Sequence, residues 1–331
     1  MVDLQQVKND PEAQLSHLTV AIGQSGKDGS LYARRALVLL RKGQLPQALE
    51  DADEAVRLTQ NEPSSLFVKA QVLRALGKPD EALPLALLAE RNSYQSASLY
   101  VLLGELYLQR KQYEQSRMYM TKAHELAPTD EFAFYYKGRI ATATGDTARA
   151  LKNYRLALQQ APKFMEAQRE LGGLLVNRHE YEEAKQLIAS AQKAAPQDGL
   201  LWFYKGTVLQ AEQKQDSALQ AYERAVSFAD TIAGAHYWLG LRQYALGQND
   251  VALEHLQKAA PAYGAHPKYL STLANAYERT GQNRAALATY QRLLQVAPSY
   301  TYANQAIYRL RNKIAKPMPD STVVRQAQTE Q

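Results

Sequence analysis

Cysteine is missing from all 331 residues, which excludes disulfides, thiolate catalysis, cysteine-ligated zinc and an acylated cysteine within this sequence. No run of eighteen apolar residues occurs either, so no membrane-spanning helix is expected. The opening stretch MVDLQQVKNDPE lacks the basic, apolar and small-residue regions of a secretory signal. A cytoplasmic location is expected if the chain is complete, and a periplasmic or surface-anchored one if a leader has been removed. A basic arm is also lacking: 39 Lys and Arg against 33 Asp and Glu leave a net charge of +6 spread along the chain, which gives nucleic-acid binding little support. The six histidines form no HxxxH pair, and the glycines form no phosphate-cradling loop, Gly172-Gly173 being the only pair that hints otherwise. The acids Glu180, Glu182 and Glu183 sit where helix starts favour acids. No catalytic group, metal or cofactor is therefore expected, and the chain reads as a non-enzyme. What it has in quantity is apolar material, 46% of residues, enough for a sizeable core and, by length, for about two domains.

Against these absences stands a period. FYYKG at 134–138 returns as WFYKG at 202–206, sixty-eight residues on. Steps of thirty-four from Ala48 reach Ala82, Ser116, Ala150, Ala184, Ala218, Ala252 and Ala286. Steps from Ala55 reach alanine six times and then Leu293, and steps from Ala36 reach Ala70, five glycines from Gly104 to Gly240, and Ala274. With Ala48 as position 20, eight units tile residues 29–300 without an insertion. Within a unit, apolar residues recur at helical spacing in two stretches. These are broken near position 15 by Gly43, Gly77, Gly145, Gly247 and Gly281, and ended near position 32 by Pro128, Pro162, Pro196 and Pro298. The pattern predicts helix, tight turn, helix, stop. Small residues at positions 8, 20 and 27 are expected where helix axes approach to roughly 8–10 Å, with bulky ones at 4 and 24 filling the space beside them.

Repeat three carries the fullest set, Tyr100, Leu103, Gly104, Tyr107, Ser116, Met120, Ala123 and Pro128. On these residues the chain resembles the tetratricopeptide repeat, over about four fifths of its length. The resemblance implies an all-α, right-handed superhelical solenoid of helix-turn-helix repeats at 29–62, 63–96, 97–130, 131–164, 165–198, 199–232, 233–266 and 267–300. Stacked repeats need capped ends. Residues 1–28 are expected to hold a capping helix opened by Asp10-Pro11-Glu12, residues 301–314 a closing helix, and residues 315–331, with two prolines and few apolar residues, a flexible tail. Local departures are Gln168 and His236 at position 4, and Lys137 and Lys205 at position 7, where leucine is usual; their stems are expected to pack while the ammonium groups reach water.

At about 100° per residue, positions 4, 7, 8 and 11 of the first helix share one arc, and positions 2, 5, 6, 9, 12 and 13 lie on the opposite one. The resemblance implies that the second arc lines a concave surface on which partners are read. Nine of its forty-eight positions are aromatic, about twice the 9% share of the whole chain: Phe67, Phe132, Tyr135, Tyr136, Phe203, Tyr204, Tyr237, Trp238 and Tyr244. Rings are costly to leave wet and are enriched in binding hot spots, so the last eight are candidate peptide contacts. The competing account is that they pack against neighbouring first helices and thicken the inner wall. Seven positions on the arc are basic, and Arg34, Arg41, Arg74, Arg139 and Arg169 join the candidates; Glu105, Glu166, Glu170 and Glu278 are acidic. An arginine-lined mouth leading to an aromatic belt suits an extended peptide with carboxylates near one end. The family's chaperone clamp asks for Lys and Asn at positions 5 and 9, where the first repeat has Ala33 and Leu37, so that activity is not implied.

The leading expectation is a non-catalytic scaffold that binds an extended peptide or a partner's helix. Interleaved Tyr and Arg also suit single-stranded nucleic acid, which would bind with steep salt dependence. A third reading is a regulatory or substrate-docking part of an enzyme complex.

Overall fold

The computed structural model describes residues 10–315, so the first nine residues and the expected tail from 316 onward lie outside the described part. Among the described residues there are eighteen helices and no strand. They fall into two compact units, one ending at Ala167 and one beginning at Gln168. The N-terminal unit holds α1 (Pro11–Gln24), α2 (Gly29–Arg41), α3 (Leu45–Leu58), α4 (Pro63–Ala75), α5 (Pro79–Arg91), α6 (Ala97–Gln109), α7 (Tyr113–Leu126), α8 (Glu131–Ala143) and α9 (Thr147–Gln160). α10 (Met165–Asn177) carries the chain over the division. The C-terminal unit continues with α11 (Tyr181–Ala194), α12 (Gly199–Ala211), α13 (Gln215–Phe228), α14 (Ala233–Ala245), α15 (Asn249–Tyr263), α16 (Pro267–Arg279), α17 (Asn283–Val296) and α18 (Tyr302–Ala315). Among the described residues no helix is long and apolar enough to cross a membrane.

Helix starts follow their caps. Asp10, Asp28, Ser96, Asp130, Asp146 and Asp198 each accept a hydrogen bond from a backbone N–H of the first turn, satisfying a donor that has no partner inside the helix. The turn inside each hairpin is set by position 15, which takes a left-handed conformation. Gly43, Gly77, Gly145, Gly247 and Gly281 have φ of 73 to 78°, and the residues that stand in for glycine, Lys111, His179 and Gln213, have φ of 58, 63 and 62°. Missing glycines therefore leave the turn unchanged and load it with strain instead.

The helices of a hairpin meet through positions 8, 20 and 24. Position 20 is fully buried in nearly every repeat, and where it is Ser116 rather than alanine, its Oγ donates to the Gly104 carbonyl at 2.7 Å. Positions 8 and 24 trade volume: Ala36 and Ala70 go with Ala52 and Ala86, whereas Gly138 and Gly206 go with Tyr154 and Tyr222. A Cβ added at Gly138 would lie 2.6 Å from Tyr154 Cε1, and one at Gly206 the same distance from Tyr222 Cε1. At Gly104 the atom met first is the terminal methyl of Met120, which can swing aside.

Two stability measurements check this packing. Gly138→Ala should destabilise by about 1–2 kcal/mol, because overpacking against a buried ring outweighs the helix-propensity gain of alanine. Gly104→Ala should be close to neutral, and equal urea midpoints for the two variants would contradict the account. Gln213→Gly should raise the midpoint by up to about 1 kcal/mol, since relief of left-handed strain exceeds the entropy cost of glycine there; a loss would show that Gln213 is unstrained.

Candidate functional site

The residues facing the inner arc are arranged by a second spacing, thirty-one, which brings position 12 of one repeat beside position 9 of the next and position 6 of the one after. In the N-terminal unit this diagonal is Arg74, Glu105 and Tyr136. Arg74 Nη1 lies 3.5 Å from Glu105 Oε1, and the Tyr136 phenol is near enough to feel the charge of the same carboxylate. Burial and then the charge of Glu105 push the Tyr136 phenol well above its ordinary range. Arg74 is thus neutralised from within the wall.

Tyr135, 5% exposed, is boxed in by Tyr136 and Phe164, each at 5.0 Å between centroids, and by Tyr154 at 6.0 Å. Arg139 is exposed, with its guanidinium 5.9 Å from the centre of that ring. Phe132 is 45% exposed and meets Phe164 edge-on at 5.0 Å. Arg34 and Arg41 are exposed and, with Gln14, His17 and Leu18 of α1, line a shallow depression of about 470 Å³. Neither forms an ion pair among the described residues, and Arg41 Nη2 donates to Gln14 Oε1 at 2.9 Å. The adjacent Arg35 holds Asp51 in a two-pronged pair at 2.6 and 2.7 Å.

In the C-terminal unit the same spacing seats rings on glycines. The Tyr204 ring lies over Gly173, where a Cβ would come within 2.5 Å of Cζ, and the Phe203 ring lies over Gly234. This is the work of the Gly172-Gly173 pair: Gly172 admits Ile188 from its own hairpin, and Gly173 admits Tyr204 from the next. Burial, then the charge of Glu170, pushes the Tyr204 phenol up to about 12. Burial works against the charge on Arg169, but hydrogen bonds to Asp198 Oδ2 at 2.9 Å and Glu170 Oε1 at 3.1 Å outweigh it and hold the guanidinium above its usual range. Phe203 and Tyr204 border an open depression of about 600 Å³, with Asp198, Thr231, Ile232 and Gly234 among its walls.

The remaining rings of this unit divide. Tyr237, 4% exposed, stacks on Tyr263 at 4.1 Å and 5°. Trp238 is half-buried and lies parallel to Tyr222 at 6.5 Å. Tyr244 is half-buried under the guanidinium of Arg279 at 4.6 Å.

Models of the tetratricopeptide repeat match residues 33–97, 67–131, 141–202 and 270–301, together more than half of the chain. The chain belongs to the tetratricopeptide repeat family. Similar curated proteins are the peroxisomal targeting signal receptor of Candida albicans, 28% identical over 137 residues, and the BBSome complex member BBS4 of Bos taurus, 21% identical over 267 residues. These matches cover 41% and 81% of this chain but 22% and 51% of the relatives, so the chain spans at most about half of their length. Among solved structures, one chain of the APC/C hetero-tetramer Cut9-Hcn1 aligns with a TM-score of 0.62 at 16% identity, over 90% of this chain and 58% of that one.

As a tetratricopeptide protein the chain departs from pattern at four places, and the structure accounts for three of them. Both lysines at position 7 lie over the ring at position 4: Lys205 Nζ is 4.7 Å from the Trp202 centroid, with the Arg224 guanidinium 4.5 Å from the same ring, and Lys137 Nζ is 5.9 Å from that of Phe134. Their stems do pack, yet the Lys137 ammonium is held partly out of water, and burial lowers its pKa. At His236, 1% exposed, Nδ1 is 2.8 Å from His255 Nδ1, while Nε2 is 2.9 Å from the Asp230 carbonyl. His236 Nε2–H therefore donates to that carbonyl, its Nδ1 accepts, and His255 Nδ1–H donates. Gln168 is buried at 5% exposure. Sequence reasoning missed Asp198, Gly173 and Gly234 as parts of the site; the signal that finds the two glycines is their spacing of thirty-one residues from an aromatic.

The histidine pair has a titration consequence. Burial and then His236 lower the pKa of His255, so the unfolded chain takes up a proton more readily than the folded one. Stability is then fully present above the ordinary histidine value of about 6.5 and falls as the pH drops below it. The denaturation midpoint should fall between pH 7.5 and 5.5, and fall less in the His236→Leu/His255→Leu double variant. Equal slopes in the two proteins would contradict this.

Proposed function

We propose that this chain is a non-catalytic interaction scaffold that takes an extended segment or a partner's helix against the rings of its inner arc. Tetratricopeptide arrays serve protein interaction in general, and one relative is named as a receptor for a targeting signal. The observation that carries the reading is the open depression beside Phe203 and Tyr204. Two rings are held rigid by glycines beneath them and border a space of about 600 Å³, so an incoming apolar side chain gains contact area at little cost in ring entropy. Among the arginines, Arg74 and Arg169 serve the wall through their own carboxylates, whereas Arg34 and Arg41 are exposed without one among the described residues and suit an acidic segment. Tyr135 and Tyr237 contribute by backing their neighbours, Tyr136 and Trp238.

Affinity capture with mass spectrometry, followed by titration of the captured partner, tests this. Phe203→Ala and Tyr204→Ala should each weaken binding by roughly tenfold or more, about 1.4 kcal/mol or above, with circular dichroism unchanged. Unchanged affinity would remove the depression from the binding surface. A fall of several decades between about 50 and 200 mM salt would favour nucleic acid as the ligand instead.

A further inference from the structure

Lys137 and Lys205 sit at the same place in near-identical five-residue stretches, yet the charges around them are paired differently. Seven residues after Lys205, Glu212 bridges Lys185 at 2.5 Å and Lys214 at 2.7 Å, and these bonds hold its carboxyl down at about 2. Sixty-eight residues earlier the corresponding positions are Arg117, Thr144 and Asp146. The bridging carboxylate has become a threonine. Its hydroxyl donates inward to the Ile140 carbonyl at 3.0 Å and receives Arg117 Nη2 at 3.4 Å, an uncharged copy of the Lys185–Glu212 contact.

The exchange leaves a cleft of about 250 Å³ in the N-terminal unit, walled by α7, α8 and α9 and lined by Arg117, Lys137 and Arg149, with Asp146 as its one lining carboxylate. Arg117 is turned toward Glu114 at 2.8 Å and Arg149 toward Asp146 at 3.3 Å, both pairs of neighbouring helical turns with largely exposed partners, the kind of contact that contributes little. Lys137 has no carboxylate partner among the described residues, only the Phe134 ring, and burial without a counter-ion lowers its pKa. A half-buried cation beside two weakly committed guanidinium groups is an incomplete electrostatic arrangement. What completes it is an acceptor of about two negative charges with several oxygens.

We propose that this cleft binds a phosphoryl group, as free phosphate or a small phosphomonoester. Once Arg117 swings from Glu114 into the cleft, three cations against one lining carboxylate leave an excess of two, which matches the charge of roughly −1.5 to −2 on a phosphate monoester near neutral pH. Guanidinium forks bind its oxygens pairwise and the ammonium serves as a point charge. The space equals that of about eight waters at ~30 Å³ each, ample for one phosphoryl group and too small for a folded partner.

The full chain, titrated with inorganic phosphate and separately with glycerol phosphate at constant ionic strength, provides the test by calorimetry and by thermal shift. Wild type should bind at least one of the two and gain thermal stability. Lys137→Gln should weaken that binding about tenfold, and Thr144→Glu, which restores the carboxylate of the sister repeat at an exposed position, should abolish it. Lys205→Gln should bind as wild type does. Phosphate binding undiminished in both Lys137→Gln and Thr144→Glu, no binding of either ligand by wild type, or an equal thermal shift from chloride at matched ionic strength would each overturn the proposal. Preference for glycerol phosphate over phosphate would identify the ester as the source.

Discussion

Where the two helices of a hairpin cross, the space between positions 8 and 24 holds in seven of the eight repeats a bare glycine and one large side chain, or two methyl groups; only the last pairs Ala274 with Tyr290. Gly138 with Tyr154 and Gly206 with Tyr222 take the first form, and Ala36 with Ala52 takes the second. The fit is tight because a core at crystal-like density has no slack to absorb an extra carbon. Each hairpin is thereby a rigid block, and stability accumulates from block to block as it does in quasi-one-dimensional folds. The inner arcs of the first helices, released from the duty of holding the hairpin together, are free to carry rings and charges.

That division explains what the sequence makes legible. Hairpin packing repeats every thirty-four residues and depends on small residues whose role is the same in each copy, so Ala48, Gly104 and Gly138 can be read from the chain alone. The fate of an inner-arc ring depends on residues far from it in the chain, for Phe203 and Tyr204 on a glycine thirty-one positions away in a different repeat. Tyr204 finds Gly173 and Phe203 finds Gly234, and the two rings border an open space; Tyr135 is enclosed by Phe164, Tyr136 and Tyr154. Helical-wheel reasoning assigns positions 5 and 6 to one arc and cannot separate them. Tyr154 comes from α9 and Phe164 from the turn after it, and no projection of α8 alone contains either.

Charge obeys the same non-local rule. Arg74 and Arg169 look alike in sequence to Arg34 and Arg41, but Glu105, from the following repeat, and Asp198, the cap of the following repeat's first helix, claim the first two. A count of basic residues along the arc therefore overstates the positive surface offered to a partner. Comparing copies of the repeat recovers more than counting does: Glu212 and Thr144 occupy one position in two copies, and the difference between them decides whether one carboxylate bridges the neighbouring cations.

Both tryptophans of the chain, Trp202 and Trp238, belong to the C-terminal unit, one beneath two cations and the other parallel to Tyr222. Intrinsic tryptophan emission therefore watches that unit alone, whereas helical ellipticity averages over the whole chain. The molecule carries its own pair of spectroscopic clocks, and any lag between them on heating or in denaturant separates the melting of one unit from that of the other without a label being introduced.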